Sequence, residues 1–316
     1  GDGEMVQVRN GGLLTTIQDA GRYGYEHQGI PVSGAMDQTS MRLANILLGN
    51  TEDEAVLECT MLGPELMFEA DCLFAVTGAD MQMQLNQTGL LPYHTYLGRK
   101  GDVLHLGCAT NGVRSYIAFA GGIQADSILG SASTDMKCHI GGKDGRKLQA
   151  GDRLLFKSPK TELPAMYRRF EDMKLSRRKE TLIHAIAGPQ ADYFTEEGIR
   201  TFYSETYQIM QESDRMGYRL SGAAIENKSG VDIVSDGITF GSVQVTASGN
   251  PIIMMADHQT TGGYAKIATV ISADLPILAQ MMPGDHIRFE AVSLKEARRY
   301  WRRSERQIRR FRRRTN

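Results

Sequence analysis

The sequence contains no long apolar run. No stretch approaches the roughly 18 apolar residues that a membrane-spanning helix requires, and 41% hydrophobic with 23% charged residues is the composition of an ordinary globular protein. The first residues, GDGEMVQVRNGG, also lack the basic segment followed by an apolar one that marks a secretory signal. We therefore expect a cytoplasmic protein with no membrane partner.

Cysteine pairs are missing too. The four cysteines, Cys59, Cys72, Cys108 and Cys138, are widely spaced and form no Cys-x-x-Cys pair, which favours buried thiols over disulfides. His139 adjoins Cys138, but one pair of potential ligands without others at zinc-site spacing is weak, so we predict no metal. The sequence also lacks the phosphate-binding loop Gly-x-x-x-x-Gly-Lys-Ser/Thr, the Gly-x-Ser-x-Gly motif and the His-Glu-x-x-His motif, so the common kinase and hydrolase schemes are unsupported.

Helical patterns are few, whereas strand patterns are frequent. KGDVLHL, AGDRLLF and PGDHIRF each place an alternating strand after a Gly-Asp turn, and CLFAVTG, VRSYIAFAGG, VQVTASG, PIIMMAD and KIATVIS are rich in β-branched or aromatic residues. The 34 glycines suit a protein of tight turns. We predict a mainly β fold with short helices over 36–50, where Asp37 caps the start and Gly49 ends the helix, and over 195–204 and 272–281.

The length of 316 residues suggests two domains. The segment KSPKTELPAMYRRFEDMKLSRRKETL carries eight Lys or Arg and no periodic apolar pattern, which indicates a linker. We predict an N-terminal β domain over 1–158, a charged linker over 159–180, a C-terminal β domain over 181–292 and a basic amphipathic helical tail over 293–316.

The tail differs in charge from the rest of the chain. Residues 295–316 hold eleven Lys or Arg against two Glu, which leaves the remainder about ten units acidic. Apolar residues at spacings of three, four and seven predict one stripe of a helix, formed by Leu294, Ala297, Trp301, Ile308 and Phe311. Such a helix can bind nucleic acid, anionic lipid or an acidic partner, or it can lie on its own acidic domain or on a second copy of the chain. The sequence leaves these possibilities open.

Residues 15–37, TTIQDAGRYGYEHQGIPVSGAMD, form the first candidate site segment. The segment packs many polar side chains among four glycines, and long ordered loops of this kind are often functional. Its candidates are Arg22, Ser33, Gly34 and Asp37. Structural roles are the alternative: Asp19 in an Asx turn, Arg22 holding the loop to a carboxylate, and Asp37 as a helix cap only.

SDRMGYRL, from Ser213, is the second candidate segment. Arg215 can bind a carboxylate or phosphate through two donors, with Tyr218 beside it. The alternative is that Asp214 neutralises Arg215.

The third segment, MMADHQTTGGYAKIATV over 254–270, is the most polar of the strand-like regions. Gly262 and Gly263 allow a ligand to approach the backbone closely, His258 can move a proton near neutral pH, and Lys266 can neutralise developing negative charge. The other binding candidates are Gln259, Thr260, Thr261 and Tyr264. A hydrogen-bonded structural histidine in a turn is the alternative for His258.

Several long blocks, in order, resemble one family. They are GLLTTIQDAGRYGYEHQGIPVSGAMDQTSMRLANILLGN, LECTMLGPELMFEADCLFAVTGAD, SDRMGYRL and DHQTTGGYAKIATVISADLPILAQMMPGDHIRF. From about Val6 to Val292 the chain is similar to allophanate hydrolase subunit 2, a family also known for the C subunit of 5-oxoprolinase and as the biotin-dependent carboxyltransferase family. The resemblance implies two cyclophilin-like β-barrel domains with a few short helices. The arginine-rich end beyond residue 295 exceeds the usual family C-terminus.

The resemblance implies a hydrolase component that works in a heteromeric complex. The expected function is that of the C subunit of an ATP-dependent 5-oxoprolinase, which acts with the A subunit and a B-type subunit to open 5-oxoproline to L-glutamate and is inactive alone. One alternative is the carboxyltransferase component of a urea carboxylase/allophanate hydrolase-type system, with biotin carried on another protein because this chain has no Met-Lys-Met biotin motif. The other is a non-catalytic regulator that binds a kinase inhibitor homologous to the B subunit.

The resemblance also implies where the site lies. The family's SGAMD block falls on 33–37 and its TTGGY block on 260–264. It suggests that Asp37, His258 and Gln259 hold a small amide or lactam between the two barrel domains, with Asp37, His258 and Lys266 as catalytic groups. Nucleic acid is not expected as a partner, although the basic tail leaves it open.

Overall fold

The chain divides into two compact units. The computed structural model describes residues 3–164, 168–170, 173 and 180–315. The first unit comprises Gly1–Arg22, Ser33–Arg177 and Gln307–Asn316, and the second comprises Tyr23–Val32 and Arg178–Arg306. The predicted linker over 159–180 lies largely outside the described residues, and in its described part Leu163 and Phe170 are buried in the first unit.

The first unit consists of two antiparallel sheets. Its strands are β1 Met5–Asn10, β2 Leu14–Gln18, β3 Val56–Thr60, β4 Glu65–Phe68, β5 Cys72–Gly78, β6 Gln84–Leu85, β7 Thr88–Gly89, β8 Thr95–Gly98, β9 Val103–His105, β10 Arg114–Phe119 and β11 Arg153–Leu155. One sheet has the order β11-β1-β4-β9-β6-β7 and the other has the order β2-β3-β10-β5-β8.

The core of this unit lies between its sheets and under its helix. β3, β5 and β10 are buried along their whole length, because helix α1, Gln38–Leu47, packs on β5 and β10 while the opposite face meets aromatic residues of the other sheet. Phe68 of β4 lies 5.4 Å from Phe74 and 6.0 Å from Phe119 between ring centroids. Each buried phenyl ring contributes about 1.5–3 kcal/mol.

The predicted limits of α1 are confirmed. The Asp37 carboxylate accepts hydrogen bonds from Ser40 N at 2.9 Å and Ser40 Oγ at 2.6 Å, which satisfies an amide of the first turn. Gly49, with φ of 69°, follows the last turn. Glycine adopts this left-handed conformation without steric cost.

The second unit contains a closed barrel. Its strands are β12 Glu180–Ala187, β13 Thr206–Ile209, β14 Gly217–Ser221, β15 Asp232–Gly237, β16 Ser242–Val245, β17 Pro251–Met254, β18 Thr261–Tyr264, β19 Lys266–Val270 and β20 His286–Ala291. The barrel has the order β12-β19-β16-β17-β14-β13-β20, and a parallel β12–β20 pair closes it. β15 and β18 form a separate two-stranded ribbon.

Two short helices complete this unit, α2 Glu196–Ser204 and α3 Leu275–Ala279. Thr195 caps α2 by accepting from Gly198 N at 3.0 Å. Phe202 of α2 stacks on Phe289 of β20 with centroids 4.4 Å apart, and this contact anchors the helix on the barrel. The predicted mainly β fold with few helices is confirmed.

The three Gly-Asp segments form the same turn. Their glycines have φ of 91°, 93° and 94°, at Gly101, Gly151 and Gly284 respectively. In each turn the aspartate carboxylate accepts the backbone N–H three residues earlier, at 2.8–3.0 Å: Asp102 from Arg99, Asp152 from Gln149 and Asp285 from Met282. The aspartate thus closes the turn that the glycine conformation allows.

The basic tail forms helix α4, Leu294–Thr315. Ser293 Oγ accepts from Glu296 N at 3.1 Å while Ser293 N donates to Glu296 Oε1 at 3.3 Å, which is a capping box. Ile308 is buried, and Phe311 packs against Phe170 with centroids 4.8 Å apart.

Part of the predicted apolar stripe of α4 is wrong. Leu294 and Trp301 are 54% and 51% exposed, because the buried side of the helix passes through Tyr300, which stacks on His184 with centroids 4.5 Å apart. In the N-terminal half of α4, the predicted apolar face is therefore rotated away from the face that contacts the protein.

The cysteine prediction is correct for two residues and wrong for two. Cys59 and Cys72 are buried, whereas Cys108 and Cys138 are exposed because they lie outside the buried strands, in loop and turn segments. Burial raises the pKa of Cys72 to about 12. Within the described ranges, no helix is long and apolar enough to cross a membrane.

Replacing Gly284 tests the turn geometry. Its φ of 94° disfavours any side chain although a Cβ there would meet open space, so we expect Gly284→Ala to lower the free energy of unfolding by about 1–2 kcal/mol. Gly237→Ala is the matched control, because a Cβ also meets open space there and φ is not in the left-handed region. Urea denaturation of both variants measures the difference, and equal midpoints would contradict this account.

Candidate functional site

The backbone amides of the SGAMD block are used inside the first unit. Ala35 N donates to Asp19 O at 2.9 Å, Met36 N to Glu58 Oε2 at 2.8 Å, and Asp37 N to Tyr116 Oη at 2.8 Å. Three successive donors are therefore satisfied by the protein itself. Asp37 is 2% exposed and caps α1, so within this unit its carboxylate has the structural role that the sequence left open. A catalytic role for Asp37 stays a prediction.

The neighbouring residues of this block adopt left-handed conformations. Ser33 has φ of 55° and Gly34 has φ of 88°. A Cβ on Gly34 would lie 3.0 Å from the Ala20 carbonyl, so glycine permits close contact between two loop segments. Ser33 Oγ is 3.4 Å from Asp135 Oδ2. Binding roles for Ser33 and Gly34 stay predictions.

A buried acid–phenol pair supports this block, and sequence reasoning missed it. Tyr116 is 0% exposed and Glu58 is 1% exposed, and Tyr116 Oη donates to Glu58 Oε2 at 2.7 Å. Burial, followed by the charges of Glu58 and Asp37, raises the pKa of Tyr116 well above its ordinary value. In the sequence, this pair was signalled only by an acidic residue, Glu58, within the mainly apolar strand β3.

Arg22 organises a loop rather than facing a carboxylate. It is 1% exposed and donates from Nε to Ile128 O at 2.7 Å and from Nη2 to Ser131 O and Ser133 O at 2.9 Å. Burial lowers its pKa. Asp19 holds the same loop by accepting from Ser131 Oγ at 2.6 Å and Ser133 Oγ at 2.7 Å. The Asx turn predicted at Asp19 is confirmed by the bond from Gly21 N at 2.9 Å.

In the second unit, Arg215 is paired with an acid that the sequence did not suggest. Its Nε and Nη2 donate to Asp257 at 2.8 and 2.9 Å, while Asp214 accepts backbone N–H groups instead. The predicted alternative of neutralisation by Asp214 is therefore wrong. Tyr218 is 3% exposed and donates to Met281 O at 3.4 Å, on the strand face that points into the barrel core.

His258 lies in surroundings that favour its neutral form. It is 2% exposed, and its Nδ1 lies 2.6 Å from Gln259 O. Since a carbonyl oxygen only accepts, Nδ1 carries the proton and Nε2 has the lone pair. Burial lowers the pKa of His258, although the Gln259 carbonyl and the charges of Asp257 and Glu26 oppose that shift.

A pocket of about 400 Å³ lies in the second unit. It brings together four predicted binding residues: Gln259, Gly262, Gly263 and Tyr264. Its other lining residues are Glu212, Asp214, Met216, Gly217, Arg219, Ile238, Gln244, Ile252 and Met254. The other predicted residues of the second unit do not line it: Arg215, Tyr218, His258, Thr260, Thr261 and Lys266.

The pocket lies on the outer side of the barrel wall. Side chains alternate along a strand, so the lining residues Gln244 and Ile252 point away from Val243 and Ile253, which are 0% exposed in the core. The ribbon strand β18 supplies the facing wall through Gly262, Gly263 and Tyr264.

Two buried donors lie on β16 and β19, and only one of them, Gln244, lines the pocket. Gln244 and Lys266 are direct partners across β16 and β19, and they are 5% and 3% exposed. Neither Gln244 Nε2 nor Lys266 Nζ has a hydrogen-bond partner among the described residues. Lys266 Nζ is 3.6 Å from Asp236 Oδ2, which is an ion-pair distance rather than a hydrogen bond. The Gly237 N–H and then the Lys266 charge lower the pKa of Asp236.

Gly262 makes room for Gln244. An ideal Cβ on Gly262 would lie 2.5 Å from Gln244 Nε2, whereas one on Gly263 would meet only Ile233 O at 3.7 Å. Neither glycine has a left-handed φ. The close contact of Gln244 with the backbone is therefore the reason that position 262 requires glycine. Within the described ranges, no three His, Cys, Asp or Glu side chains come together as a metal site would require.

The molecule is a mainly β protein of two units, and its second unit holds a closed barrel and a polar pocket. Residues 28–291 match the family model of the carboxyltransferase domain, subdomain A and B, and the chain belongs to this family.

Named relatives cover nearly the whole chain. The C subunit of 5-oxoprolinase from Haemophilus influenzae is 39% identical over 307 residues, which are 95% of this chain and 96% of the relative. The C subunit of 5-oxoprolinase from Escherichia coli is 37% identical over 297 residues, 93% of each chain. The crystal structure of the K. lactis urea amidolyase matches with a TM-score of 0.90 and 31% identity over 98% of this chain, which spans only 20% of that longer protein.

The buried hydroxyl of Tyr116 gives a stability test. In Tyr116→Phe, Asp37 N loses its acceptor and Glu58 loses a donor in a buried environment, so we expect the free energy of unfolding to fall by about 1–3 kcal/mol. Tyr96→Phe is the control: its hydroxyl likewise accepts from Leu91 N and donates to Leu91 O, both at 3.0 Å, but at an exposed position, and its change should stay within about 0.5 kcal/mol. Urea denaturation compares them, and similar losses would contradict the account.

The lowered pKa of His258 gives a pH test. The unfolded chain takes up this proton at a higher pH than the folded chain does, so the contribution to stability falls as the pH drops below about 6.5. We expect wild type to lose more stability than His258→Gln between pH 7.5 and pH 5.5. Urea midpoints at both pH values measure this, and equal losses in the two proteins would refute it.

Proposed function

We propose that this chain is the C subunit of a cytoplasmic, ATP-dependent 5-oxoprolinase, which acts with the A subunit and a B-type subunit to open 5-oxoproline to L-glutamate. The observation that carries the proposal is the 39% identity over 95% of this chain and 96% of a protein of that name. An alignment over nearly all of both chains supports a shared role more strongly than a match to one part of a longer enzyme.

The pocket in the second unit supports a small substrate. Its wall combines the Gln244 carboxamide, the Arg219 guanidinium and the apolar side chains of Ile238, Ile252 and Met254. A lactam presents an N–H donor, carbonyl and carboxylate acceptors and an apolar ring edge, and such a wall offers a partner to each. In this proposal Gln244 binds a substrate oxygen, Lys266 neutralises developing negative charge, and the neutral His258 moves a proton through Nε2.

ATP fits this pocket poorly. Glu212 and Asp214 line it against one arginine, Arg219, and two carboxylates repel a triphosphate. We therefore assign nucleotide binding to the partner proteins and substrate binding to this chain. Activation of the lactam carbonyl then requires the assembled complex.

A carboxyltransferase role is the second candidate. It is favoured by the family match over residues 28–291 and by the TM-score of 0.90 to the K. lactis urea amidolyase. In that role the same pocket would receive an amide such as urea, and biotin would be carried on another protein.

Reconstitution separates the two candidates. We expect this chain, co-purified with its A and B-type partners, to hydrolyse ATP in response to 5-oxoproline and not to urea. The isolated chain and the partners without it should each show less than about one hundredth of that rate. Full activity of the isolated chain, or stimulation by urea alone, would overturn the proposal.

A further inference from the structure

We infer that one face of helix α4 is a docking site for a B-form DNA duplex, which it binds through the phosphate backbone without reading the base sequence. This inference replaces the sequence-based expectation that nucleic acid is not a partner. It goes beyond the proposed function and does not rest on it. We call six side chains of the stretch 295–306 the cationic face: Lys295, Arg298, Arg299, Arg302, Arg303 and Arg306.

The cationic face occupies one side of α4. At about 100° per residue, its six members fall within an arc of about 140° around the helix axis. All six are exposed, and the two acids of this stretch, Glu296 and Glu305, fall outside the arc. The other side of the helix contacts the barrel through Tyr300, whose ring stacks on His184. The cations therefore face solvent on a helix that the barrel holds in place.

The cationic face opposes the folding of its own helix. Like charges four residues apart, as at Arg298, Arg302 and Arg306, destabilise a helix. Among the described residues, no carboxylate forms an ion pair with any of the six side chains. A bound polyanion would remove this repulsion, whereas the fold alone does not.

The charge density of the face matches that of a nucleic acid duplex. From Lys295 to Arg306 the helix rises about 17 Å, which gives about one positive charge every 3 Å. A DNA duplex carries one negative charge per about 1.7 Å of its axis, so about ten phosphates lie along the same length. A small soluble protein domain typically carries a net charge of only about 2–8 over its whole surface. The density therefore favours DNA over an acidic protein.

The type and arrangement of the side chains point to the same ligand. Five of the six are arginines, and a guanidinium can donate two hydrogen bonds to one phosphate. A helix about 10–12 Å across fits the major groove of B-form DNA, which is about 12 Å wide. Arg298 and Arg303 lie at the two edges of the arc, so each can reach the phosphates of a different strand. Such contacts position a duplex without reading its sequence.

A lipid surface fits the face less well. A helix that binds a membrane inserts an apolar side below the lipid headgroups. On α4 the side opposite the cations is occupied by the stack of Tyr300 on His184. Within the described stretch 294–306, the exposed large apolar side chains are Leu294 and Trp301. Two side chains at one edge of the face offer little area for insertion.

Four probes separate the possible occupants. They are a DNA duplex of about 20 base pairs, an RNA duplex of the same sequence, polyglutamate, and vesicles that contain phosphatidylglycerol, each titrated with the full chain at about 50 mM salt. We expect DNA to bind at least tenfold more tightly than the other three, because the major groove of duplex RNA is too narrow for a helix. Equal or tighter binding of RNA, polyglutamate or vesicles overturns the inference, as does a DNA dissociation constant above about 0.1 mM.

Trp301 shows where the duplex binds. It is the only tryptophan of the chain, and it lies half exposed next to the Arg298 edge of the cationic face. We expect its fluorescence emission to change as DNA binds, with the same midpoint as the anisotropy of a labelled duplex. Unchanged emission at saturation would place the duplex elsewhere and overturn the inference.

Neutralising one row of the face tests its charges. The triple variant Arg298→Gln, Arg302→Gln and Arg306→Gln removes three phosphate contacts, and we expect DNA affinity to fall at least tenfold. The plot of log affinity against log salt should become shallower by about 3. Thermal melts check folding, and if the triple variant does not fold, Arg302→Gln alone decides through a slope shallower by about one.

A matched triple variant controls for net charge. Arg9→Gln, Arg99→Gln and Arg200→Gln remove the same charge from exposed positions outside α4, and we expect this protein to bind DNA as wild type does. Equal losses of affinity in the two triple variants, or wild-type affinity in the α4 variant, overturn the inference. Neither result bears on 5-oxoprolinase activity, which is measured separately in the reconstituted complex.

Discussion

A β-bulge in the barrel of the second unit is the constraint on which its candidate site depends. Val243 pairs with Ala268, but the next residue, Gln244, pairs with Lys266, so Ile267 is the extra residue. Without the bulge, Gln244 would face an isoleucine. The bulge carbonyls are satisfied from outside the ladder: Gly188 N donates to Ile267 O at 2.9 Å and Gln190 N to Lys266 O at 3.1 Å. The backbone from Gly188 to Gln190 thereby stabilises the register in which Gln244 pairs with Lys266.

Both predicted halves of the site contain satisfied and unsatisfied buried polar groups. In the first unit, the amides of the SGAMD block and the carboxylate of Asp37 all have partners within the protein, with Glu58 and Tyr116 completing the set. Among the described residues, Arg22 Nη1 in the first unit and Gln244 Nε2 and Lys266 Nζ in the second are donors without acceptors. Satisfied buried groups stabilise a fold, while unsatisfied ones lower stability unless a ligand completes them. Each unit therefore holds buried donors that a ligand could complete.

Local patterns predicted much of the fold, and pairing across the chain accounts for what they missed. The cap at Asp37, the end of α1 at Gly49 and the Gly-Asp turns depend on neighbours in sequence. The grouping of Gln259 with Gly262, Gly263 and Tyr264 could also be predicted, because these residues are close together in the sequence. In the sequence, nothing distinguishes Gln244 from an ordinary strand residue. Its pairing with Lys266 follows only from the register of the sheet. Likewise, Asp257 as the partner of Arg215 is set by tertiary contacts 42 residues apart.

The composition of α4 has a consequence for how this helix responds to its solvent. Arginines recur four residues apart along it, as at Arg298, Arg302 and Arg306, and like charges at that spacing oppose helix formation. Its order therefore depends on its contacts with the rest of the chain: the burial of Ile308, the ring contacts of Tyr300 and Phe311, and the ion pair of Arg312 with Glu52. Dissolved salt shortens the reach of the arginine repulsion but leaves apolar contacts intact. Because salt also weakens the ion pair of Arg312 with Glu52, the order of α4 at high ionic strength comes from its apolar and ring contacts.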